Sequence, residues 1–302
     1  MNNREEWLEA RRNYLGGTDI AAICGLNQYK TPLDVYLDKI GESAQAELNP
    51  AMRWGTLLEN SIAKAYAEDT GQIVWEEKKT LRHKEYLFLG ANIDRWVGDR
   101  EYVLECKTAG FMKSKEWGEE GTDQIPASYL VQVAWYSAIC DVPKVDIAVL
   151  IGGQDFRIYT YERNKEFEDK LIKIACNFWY NHIEKRIPPK CSNLADTSNL
   201  FPVGNHKKLK ASETITQKIY ELKELKEQES DTQTAIDKLK VEIQEFMQDY
   251  DILLDNNGCV VATWKNTAPR SFFDAKRLKE ECQDIYLKYV NYTKQARMFL
   301  IK

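Results

Sequence analysis

The sequence lacks the patterns that several large classes of protein require. Its seven cysteines are scattered and never spaced Cys-x-x-Cys, which argues against a disulfide framework and against a zinc or iron–sulfur site. Its three histidines are far apart, so we expect no histidine-based metal or base chemistry. No Gly-x-x-x-x-Gly-Lys-Ser/Thr loop occurs, and we therefore expect no nucleotide cofactor.

Long apolar runs and a net positive charge are also missing. No window approaches eighteen uninterrupted apolar residues, and the first residues form no apolar signal core, so the sequence predicts a cytoplasmic protein with no membrane partner. The formal charge of −5 is not that of a protein that coats nucleic acid non-specifically. It is compatible with a nuclease, because a bound divalent metal reverses the sign of an acidic site.

The periodicity of apolar residues predicts an α/β core. Helices are expected over 4–13, 18–24, 32–40, 56–69, 126–140 and 164–184, and strands over 73–81, 86–97, 102–107, 145–151 and 156–161. Asn164 is the expected N-cap of the last of these helices. We expect this α/β domain to occupy residues 1–195.

A helical extension follows the core. A polar linker is expected over 196–210, a helical arm over 211–251, and a small module of one β-hairpin and a final helix over 252–302. The apolar residues of the arm keep a heptad register with one polar layer, Glu229 and Thr232. The arm either pairs with another helix or folds back near Ser230-Asp231 as a helical hairpin on the core. Its candidate roles are an oligomerisation coil, a clamp over duplex DNA and a docking site for a partner.

A predicted hairpin gathers three ionisable side chains on one face of the sheet. Gly98-Asp99 between two apolar runs is a turn signal. A turn symmetric about Asp99 and Arg100 sets Asp94 directly opposite Glu105. Opposed side chains have Cβ atoms about 4.5–5.5 Å apart, and Lys107 follows on the same face about 6.6 Å along the strand.

Two carboxylates at that separation repel each other unless a cation lies between them. One or two Mg²⁺ or Mn²⁺ ions could be bridged by Asp94 and bound by Glu105 and the backbone carbonyl of Cys106. Lys107 would orient or deprotonate an attacking water and neutralise charge in the transition state. The pattern therefore predicts metal-assisted phosphodiester hydrolysis. The alternative interpretation is a salt-bridge cluster on an exposed sheet face.

Two further candidates each have a structural alternative. Thr56-x-x-Glu59 has the form of a capping box, in which Glu59 merely caps a helix. Gln132 shares a helical face with Tyr129 and Tyr136, which is equally typical of core packing.

A third candidate is an anion site near the N-terminus. Arg11 and Arg12 precede Gly16-Gly17-Thr18, and a helix that begins after glycines offers free amide donors. Arginine is a bidentate ligand for phosphate. The alternative is a solvated helix end at which Thr18 is an ordinary N-cap.

Five segments together resemble the λ-exonuclease-like (YqaJ-type) viral recombinase nucleases of the PD-(D/E)xK superfamily. In chain order they are Trp7-x3-Arg11 leading to Leu15-Gly-Gly-Thr18-Asp19, Trp54-Gly-x3-Glu59, Gly90-Ala-Asn-Ile-Asp94, Glu105-Cys-Lys107 and Tyr129-Leu-Val-Gln132-Val. The resemblance covers roughly residues 4–190. It implies a restriction-endonuclease-like fold, with a central mixed sheet flanked by helices, and leaves the arm and the closing module unexplained.

The resemblance also implies a role for each matched residue. Asp94 and Glu105 match the metal ligands, Glu59 a further acid of the metal site, and Lys107 the catalytic lysine. Gln132 matches a residue on the helix that borders the site. Arg11 and Thr18 match residues that contact the 5′-terminal phosphate, and Arg12 and Tyr129 are additional candidates for contact with DNA. Asn92-Ile93 replaces the usual proline before the aspartate, at a position that binds no metal.

The activity implied by the resemblance is Mg²⁺-dependent 5′→3′ digestion of one strand of linear duplex DNA, with Mn²⁺ expected to substitute. The 3′ single-stranded tail would serve phage or prophage recombination by strand annealing in a bacterial cytoplasm. Expected partners are duplex DNA ends, a single-strand annealing recombinase, and further copies of the chain in a ring-shaped trimer. Two alternatives remain: a structure-specific or restriction-type endonuclease on the same fold, and a non-catalytic DNA-binding or assembly protein that works through the arm.

Overall fold

The computed structural model of the protein describes residues 9–43, 50–292 and 296–302. The chain divides into two compact units, one that ends at Leu200 and one over Phe201–Lys302. Of the helix predicted over 4–13, residues 9–12 are helical, whereas the start of that helix and Trp7 lie outside the described residues.

The secondary structure of the first unit is mixed throughout. Its α-helices are α1 (Gly17–Ile23), α2 (Pro32–Lys39), α3 (Pro50–Thr70), α4 (Ala127–Cys140), α5 (Lys165–Phe178) and α6 (Leu194–Leu200). Its strands are β1 (Val74–Glu76), β2 (Leu81–Arg82), β3 (Gly90–Ala91), β4 (Arg95–Val97), β5 (Tyr102–Ala109), β6 (Lys144–Ile151) and β7 (Asp155–Glu162). A 3₁₀ helix covers Phe111–Glu116, and a π-helical turn, Trp179–Ile183, extends α5.

A five-stranded mixed sheet forms the centre of this unit. Its strand order is β1-β4-β5-β6-β7, and every neighbouring pair is antiparallel except β5 and β6, which are parallel. The parallel pair lies in the middle, so β5 is bonded on both edges and covered on both faces. A mixed sheet flanked by helices is the fold class that the sequence predicted.

Two helices cover opposite faces of β5. Ile62 and Tyr66 of α3 pack in one apolar cluster with Leu104. Val103 belongs to the larger cluster on the other face, together with Trp135 of α4. Because side chains alternate along a strand, Glu105 and Lys107 share the face of Val103 and point towards α4.

The β4–β5 hairpin has the register that a symmetric turn predicts. Arg95 pairs with Leu104, Trp96 with Val103 and Val97 with Tyr102. The turn places both Gly98 and Arg100 in the left-handed region, with φ of 62° at each. Continuing this register by one residue places Asp94 opposite Glu105.

The strand predicted over 86–97 is divided into two, which corrects the sequence analysis. Gly90–Ala91 leaves the main sheet and pairs with Leu81–Arg82. At Gly90 a Cβ atom would lie 2.9 Å from Cδ2 of Tyr14, and the carbonyl of Gly90 accepts a hydrogen bond of 2.8 Å from Trp135 Nε1. These contacts with distant residues redirect the chain, and no local pattern encodes them.

The first unit extends beyond the predicted boundary at residue 195. Helix α6 carries Asp196, which is 1% exposed and accepts hydrogen bonds from Thr31 Oγ1 (2.9 Å) and from the backbone amide of Ser192 (2.7 Å). The first residues of the predicted linker over 196–210 are therefore part of the folded unit, because their polar groups are satisfied inside it.

The second unit is dominated by one helix, α7 (Glu213–Met247), of 35 residues. It is followed by a hairpin of β8 (Ile252–Leu254) and β9 (Val260–Thr263), and by short helices α8 (Ala275–Glu281) and α9 (Gln283–Tyr289). Helix α7 contains no glycine or proline and continues through Ser230-Asp231, so the predicted fold-back at that point is wrong. Within the described ranges, no helix is both long and apolar enough to cross a membrane.

A buried cluster of charges joins α1 to α2. The side chains of Asp19 and Lys39 are completely buried, with Nζ of Lys39 2.8 Å from Oδ2 of Asp19. Nζ of Lys30 lies 2.9 Å from the other carboxylate oxygen, Oδ1. Burial alone would raise the pKa of Asp19, but the two ammonium groups outweigh burial and hold this pKa far below its usual range. The carboxylate is therefore fully charged and paired at neutral pH.

We predict that Asp19→Asn lowers the free energy of unfolding by about 3–5 kcal/mol at pH 7, because the buried ammonium of Lys39 loses its nearer carboxylate and keeps only Asp38, 3.7 Å away. Urea unfolding monitored by circular dichroism measures this change. The pKa of Asp19 is lower in the folded than in the unfolded protein, so its stabilising effect is present above the unfolded value. The difference between the two proteins should therefore shrink as the pH falls below about 4.

Asp141→Asn is the matched control. Asp141 is exposed, pairs with Lys84 and Arg163, and has φ of 58°, a conformation that asparagine also adopts. The Asp141→Asn substitution should lower the free energy of unfolding by less than about 1 kcal/mol. Equal losses for the two variants would contradict the importance given to the buried cluster.

Candidate active site

The hairpin brings Asp94, Glu105 and Lys107 together. Nζ of Lys107 forms an ion pair with Oε1 of Glu105, and Oδ2 of Asp94 accepts a hydrogen bond of 2.8 Å from the backbone amide of Cys106. Glu105 is 2% exposed and the side chain of Lys107 is 18% exposed. The alternative interpretation of a salt-bridge cluster on an exposed sheet face is therefore wrong.

The cluster carries more negative than positive charge. Burial and the nearby charge of Glu105 raise the pKa of Asp94 to about 7, although Lys107 and the amide of Cys106 oppose this shift. Burial would lower the pKa of Lys107, but Glu105 and Asp94 outweigh it, and the net shift is upward. Lys107 is therefore an ammonium group at neutral pH, and it neutralises only one of the two acids.

The donor set fits a hard divalent cation. Oε2 of Glu105 is buried without a hydrogen-bond partner within the described part of the chain. A buried carboxylate oxygen of this kind, beside a second carboxylate, suits an ion that prefers oxygen ligands. The described residues hold no ready-made group of three or more His, Cys, Asp or Glu around one point. The remaining ligands would be a backbone carbonyl, water and substrate, as is usual for Mg²⁺.

Glu59 is not a capping residue. Helix α3 begins at Pro50, so Thr56 lies inside it, and the hydroxyl of Thr56 donates to the carbonyl of Met52 (3.2 Å). Oε1 of Glu59 instead accepts a hydrogen bond of 2.7 Å from Nη1 of Arg95. Burial and the negative charge of Asp94 raise the pKa of Glu59. Glu59 therefore interacts electrostatically with the site.

Arg95 is a site residue that the sequence analysis missed. It is 5% exposed, and its guanidinium group bonds to Glu59, to Asn60 and to the backbone carbonyl of Asp94. Arg95 therefore links α3 to the backbone of Asp94. The available signal was an arginine next to Trp96 and Val97 in a strand rich in apolar residues, because a charge in such a place requires a partner.

Helix α4 borders the site through Gln132 and Tyr129. Nε2 of Gln132 donates to Oε1 of Glu105 (2.7 Å) and lies 2.8 Å from the hydroxyl oxygen of Tyr136. Nζ of Lys107 lies 5.0 Å from the centre of the Tyr129 ring, within the range of a cation–π interaction. Core packing alone does not describe this helical face, because the amide of Gln132 is bonded to the acid of the site and the ring of Tyr129 contacts the lysine.

The predicted anion site is partly assembled. Nη2 of Arg11 donates to Oγ1 of Thr18 (3.2 Å), whereas Arg12 pairs with Glu9. Thr18 lies within α1 and is not its N-cap; the N-cap is Gly16, whose amide donates to Oδ2 of Asp19 (3.1 Å). One of the amides that the sequence predicted to be free is therefore bonded internally.

The anion site and the acidic site adjoin the same cavity. Its volume is about 480 Å³, and its lining includes Thr18, Tyr29, Lys113, Tyr129 and Gln132. Helix α1 packs directly on α4, because a Cβ atom at residue 17 would lie only 2.9 Å from Cγ of Gln132. The two halves of the site thus share one wall.

A mixed sheet whose antiparallel strand pair presents an aspartate, a glutamate and a lysine is the arrangement expected from the resemblance to PD-(D/E)xK nucleases. The pattern described as the YqaJ-like viral recombinase domain matches residues 6–143 of the chain. The protein YqaJ of Bacillus subtilis (strain 168), itself uncharacterised, is 33% identical over 310 residues, which cover 99% of this chain and 94% of YqaJ. The chain belongs to the YqaJ-like viral recombinase family, and the resemblance predicted from its five segments is confirmed.

Two solved structures are similar to part of the chain. The alkaline exonuclease LHK-Exo of Laribacter hongkongensis is 19% identical, with a TM-score of 0.48, over 60% of this chain and 93% of that chain. A phage-related exonuclease of Haemophilus somnus 129PT is 16% identical, with a TM-score of 0.45, over 58% of this chain and 96% of that chain. At this level of similarity neither structure assigns an activity to the present chain.

We predict that Asp94→Asn stabilises the protein at pH 8 in the absence of divalent metal. The pKa of Asp94 is raised to about 7 in the folded protein, so ionisation of this group opposes folding at higher pH. The free energy of unfolding should rise by about 2–4 kcal/mol at pH 8, and the gain should vanish at about pH 3 and below, where Asp94 binds a proton both when folded and, for the most part, when unfolded. Urea unfolding in EDTA at the two pH values measures both.

Asp99→Asn, in the exposed turn of the same hairpin, is the control and should change stability by less than about 0.5 kcal/mol. A loss of stability in Asp94→Asn at pH 8 would show that the carboxylate is satisfied without a metal ion.

Proposed function

We propose that this protein is a Mg²⁺-dependent exonuclease that degrades one strand of linear duplex DNA in the 5′→3′ direction and leaves a 3′ single-stranded tail. The observation that carries this proposal is the meeting of the buried carboxylate of Glu105, the partly buried carboxylate of Asp94 and the ammonium group of Lys107 at the β4–β5 hairpin. Membership of a viral recombinase family supports DNA as the substrate. Mn²⁺ would substitute for Mg²⁺.

Asp94, Glu105 and the backbone carbonyl of Cys106 would hold the metal. A bound divalent cation would polarise the scissile phosphate and lower the pKa of a water molecule. The unpartnered Oε2 atom of Glu105 supports this assignment, because a buried carboxylate oxygen without a donor is costly unless a cation uses it. Glu59, held by Arg95, would support the site from α3.

Lys107 would act on the phosphate and on the attacking water. Its ammonium group can donate to both and stabilise the charge that develops on the pentavalent phosphorus. Gln132 holds Oε1 of Glu105 from the side of α4, and so fixes the carboxylate that Lys107 also contacts. In-line attack of water breaks the bond to the 3′ oxygen and releases a nucleotide that carries a 5′ phosphate.

Arg11 and Thr18 would bind the 5′-terminal phosphate, with Arg12 and Tyr129 as further contacts to DNA. Thr18 lines the same cavity as Gln132, which touches Glu105. A strand end held at Thr18 would therefore lie beside the acidic site. This arrangement favours an exonuclease over an endonuclease, because the binding site for the end adjoins the site of cleavage.

The 3′ tail would be passed to a single-strand annealing recombinase during phage or prophage recombination in the cytoplasm of a bacterial host. A ring-shaped trimer that encloses duplex DNA is the assembly we propose for the nuclease unit. The family description supports the link with recombination.

Lys107→Ala and Asp94→Ala should each lower the rate of Mg²⁺-dependent digestion of linear duplex by about a thousandfold or more, because each removes a group that stabilises the transition state. The release of acid-soluble nucleotides measures the rate, and circular dichroism checks that the fold is retained. Lys170→Ala, at an exposed i,i+4 pair with Glu166, is the control and should leave the rate unchanged. Full activity in either site variant would refute the assignment.

Substrates with different ends separate exonuclease from endonuclease. We expect linear duplex with 5′-phosphate ends to be digested, covalently closed circular duplex to resist, and EDTA to stop the reaction. Cleavage of the closed circle would favour an endonuclease.

Arg11→Ala should reduce the preference for 5′-phosphate over 5′-hydroxyl ends by about tenfold, since a charged hydrogen bond contributes about 1.5–3 kcal/mol. The rates of digestion of the two substrates, compared for each protein, give this ratio. Arg157→Ala, which removes a surface ion pair with Asp155, is the matched arginine control. An unchanged ratio in Arg11→Ala would place recognition of the end elsewhere.

A further inference from the structure

Helix α7 presents an apolar seam that nothing covers in the described part of the chain. At 1.5 Å per residue its 35 residues span about 52 Å. Six apolar side chains of its heptad register are between 41% and 75% exposed: Ile215, Leu225, Ile236, Leu239, Ile243 and Phe246. Apolar positions alternately three and four residues apart form the narrow stripe that is typical of a coiled-coil partner surface.

The seam has a mirror symmetry along its length. Its midpoint lies between Ser230 and Asp231, and four of the five pairs of positions at equal distances on either side have matching character. Three pairs are apolar and one is polar: Leu225 with Ile236, Leu222 with Leu239, Ile215 with Phe246, and Glu229 with Thr232. The exception is Lys218 with Ile243, where the long lysine side chain can reach solvent at the edge of the seam. A seam that matches its own reverse is complementary to a second, oppositely directed copy of itself.

We propose that α7 pairs antiparallel with α7 of a second copy of this chain, with the two-fold axis at Ser230-Asp231. The apolar layers meet on both sides of the axis, where Leu222 packs on Leu239 and Leu225 on Ile236 of the other copy. At the centre, Glu229 accepts a hydrogen bond from the hydroxyl of Thr232 of the other copy, and symmetry makes this contact twice. The polar layer fixes the register, because any slip leaves a carboxylate against an apolar residue.

The charges disfavour a parallel pair. In a parallel, in-register coiled coil, Glu229 meets Glu229 and Lys218 meets Lys218 within the seam, and buried like charges are costly. The antiparallel pair separates these groups. It brings Glu221 near Glu242 of the other copy, but at flanking, exposed positions where solvent and salt screen the repulsion. The cost at the flanks is therefore smaller than the cost in the seam.

Opposite charges placed at Thr232 test the pairing. Thr232→Lys sets an ammonium against Glu229 of the other copy, twice, and should tighten self-association of the full chain about fivefold; Thr232→Glu should weaken it about fivefold or more. Sedimentation velocity of the full chain, over protomer concentrations from about 0.1 to 100 µM, measures the dissociation constants. Far-UV circular dichroism checks that α7 stays helical.

Thr234→Lys and Thr234→Glu are the matched controls. Thr234 lies on the opposite, exposed side of α7, so these substitutions change the same charges outside the seam and should leave the dissociation constant within about twofold. A parallel pair predicts that both variants at Thr232 weaken association. That result would overturn the proposal, as would equal effects at Thr232 and Thr234, or a full chain whose association does not respond to any of the four variants.

Nuclease activity on a short linear duplex is measured in parallel. A trimer of the nuclease unit would be common to the unsubstituted chain and all four variants, so differences among them report on the contact at α7 alone. Either proposal can therefore fail while the other holds.

Discussion

The pairing of β4 with β5 is the contact on which the candidate site depends. Its register is fixed by a turn with two left-handed residues, Gly98 and Arg100, and by the position of β5 in the middle of the sheet. A slip of one residue would turn Glu105 and Lys107 to the opposite face, away from Asp94. The hydrogen bonds of the sheet therefore set the positions of the three site residues. Helices α3 and α4 add Glu59 and Gln132 around them.

Asp19 and Asp94 show that two aspartates shielded from solvent can have opposite effects on the stability of the protein. Asp19 is completely buried but has the ammonium groups of two lysines, and its pKa falls far below the usual range. Asp94 is shielded from solvent and has a second acid beside it, and together these raise its pKa to about 7. The first arrangement stabilises the fold. The second destabilises the metal-free protein, and such a cost is expected where a cation is to be bound.

Local patterns predicted the elements whose causes are local. The hairpin register, the helix after Pro126 and the Asn164 cap follow from residues close together in the sequence. The division of the strand at Gly90 does not, because Tyr14 and Trp135, which cause it, are distant in the chain.

The capping alternatives at Glu59 and Thr18 are wrong because the local sequence does not reveal where the helices begin or which groups these residues contact. The capping-box pattern at Glu59 was misleading because α3 begins at Pro50, six residues before Thr56, and because the partner of Glu59 is an arginine on a strand. The alternative in which Thr18 is an N-cap is wrong, because Gly16 and Asp19 close the first turn of α1. The roles proposed for Glu59 and Gln132 came from the family resemblance and not from spacing. Arg11 was indicated as an anion ligand by the residues that follow it, and the resemblance added the 5′-terminal phosphate.

The missing side chain at Gly17 lets α1 pack closely on α4 and so fixes a distance in the proposed enzyme. With α1 touching Gln132 of α4, the gap between Thr18 and Glu105 is set by helix packing and not by a loop. A 5′ end bound at Thr18 would always lie at the same distance from the site of cleavage at Glu105. Each turnover would therefore release a product of the same length.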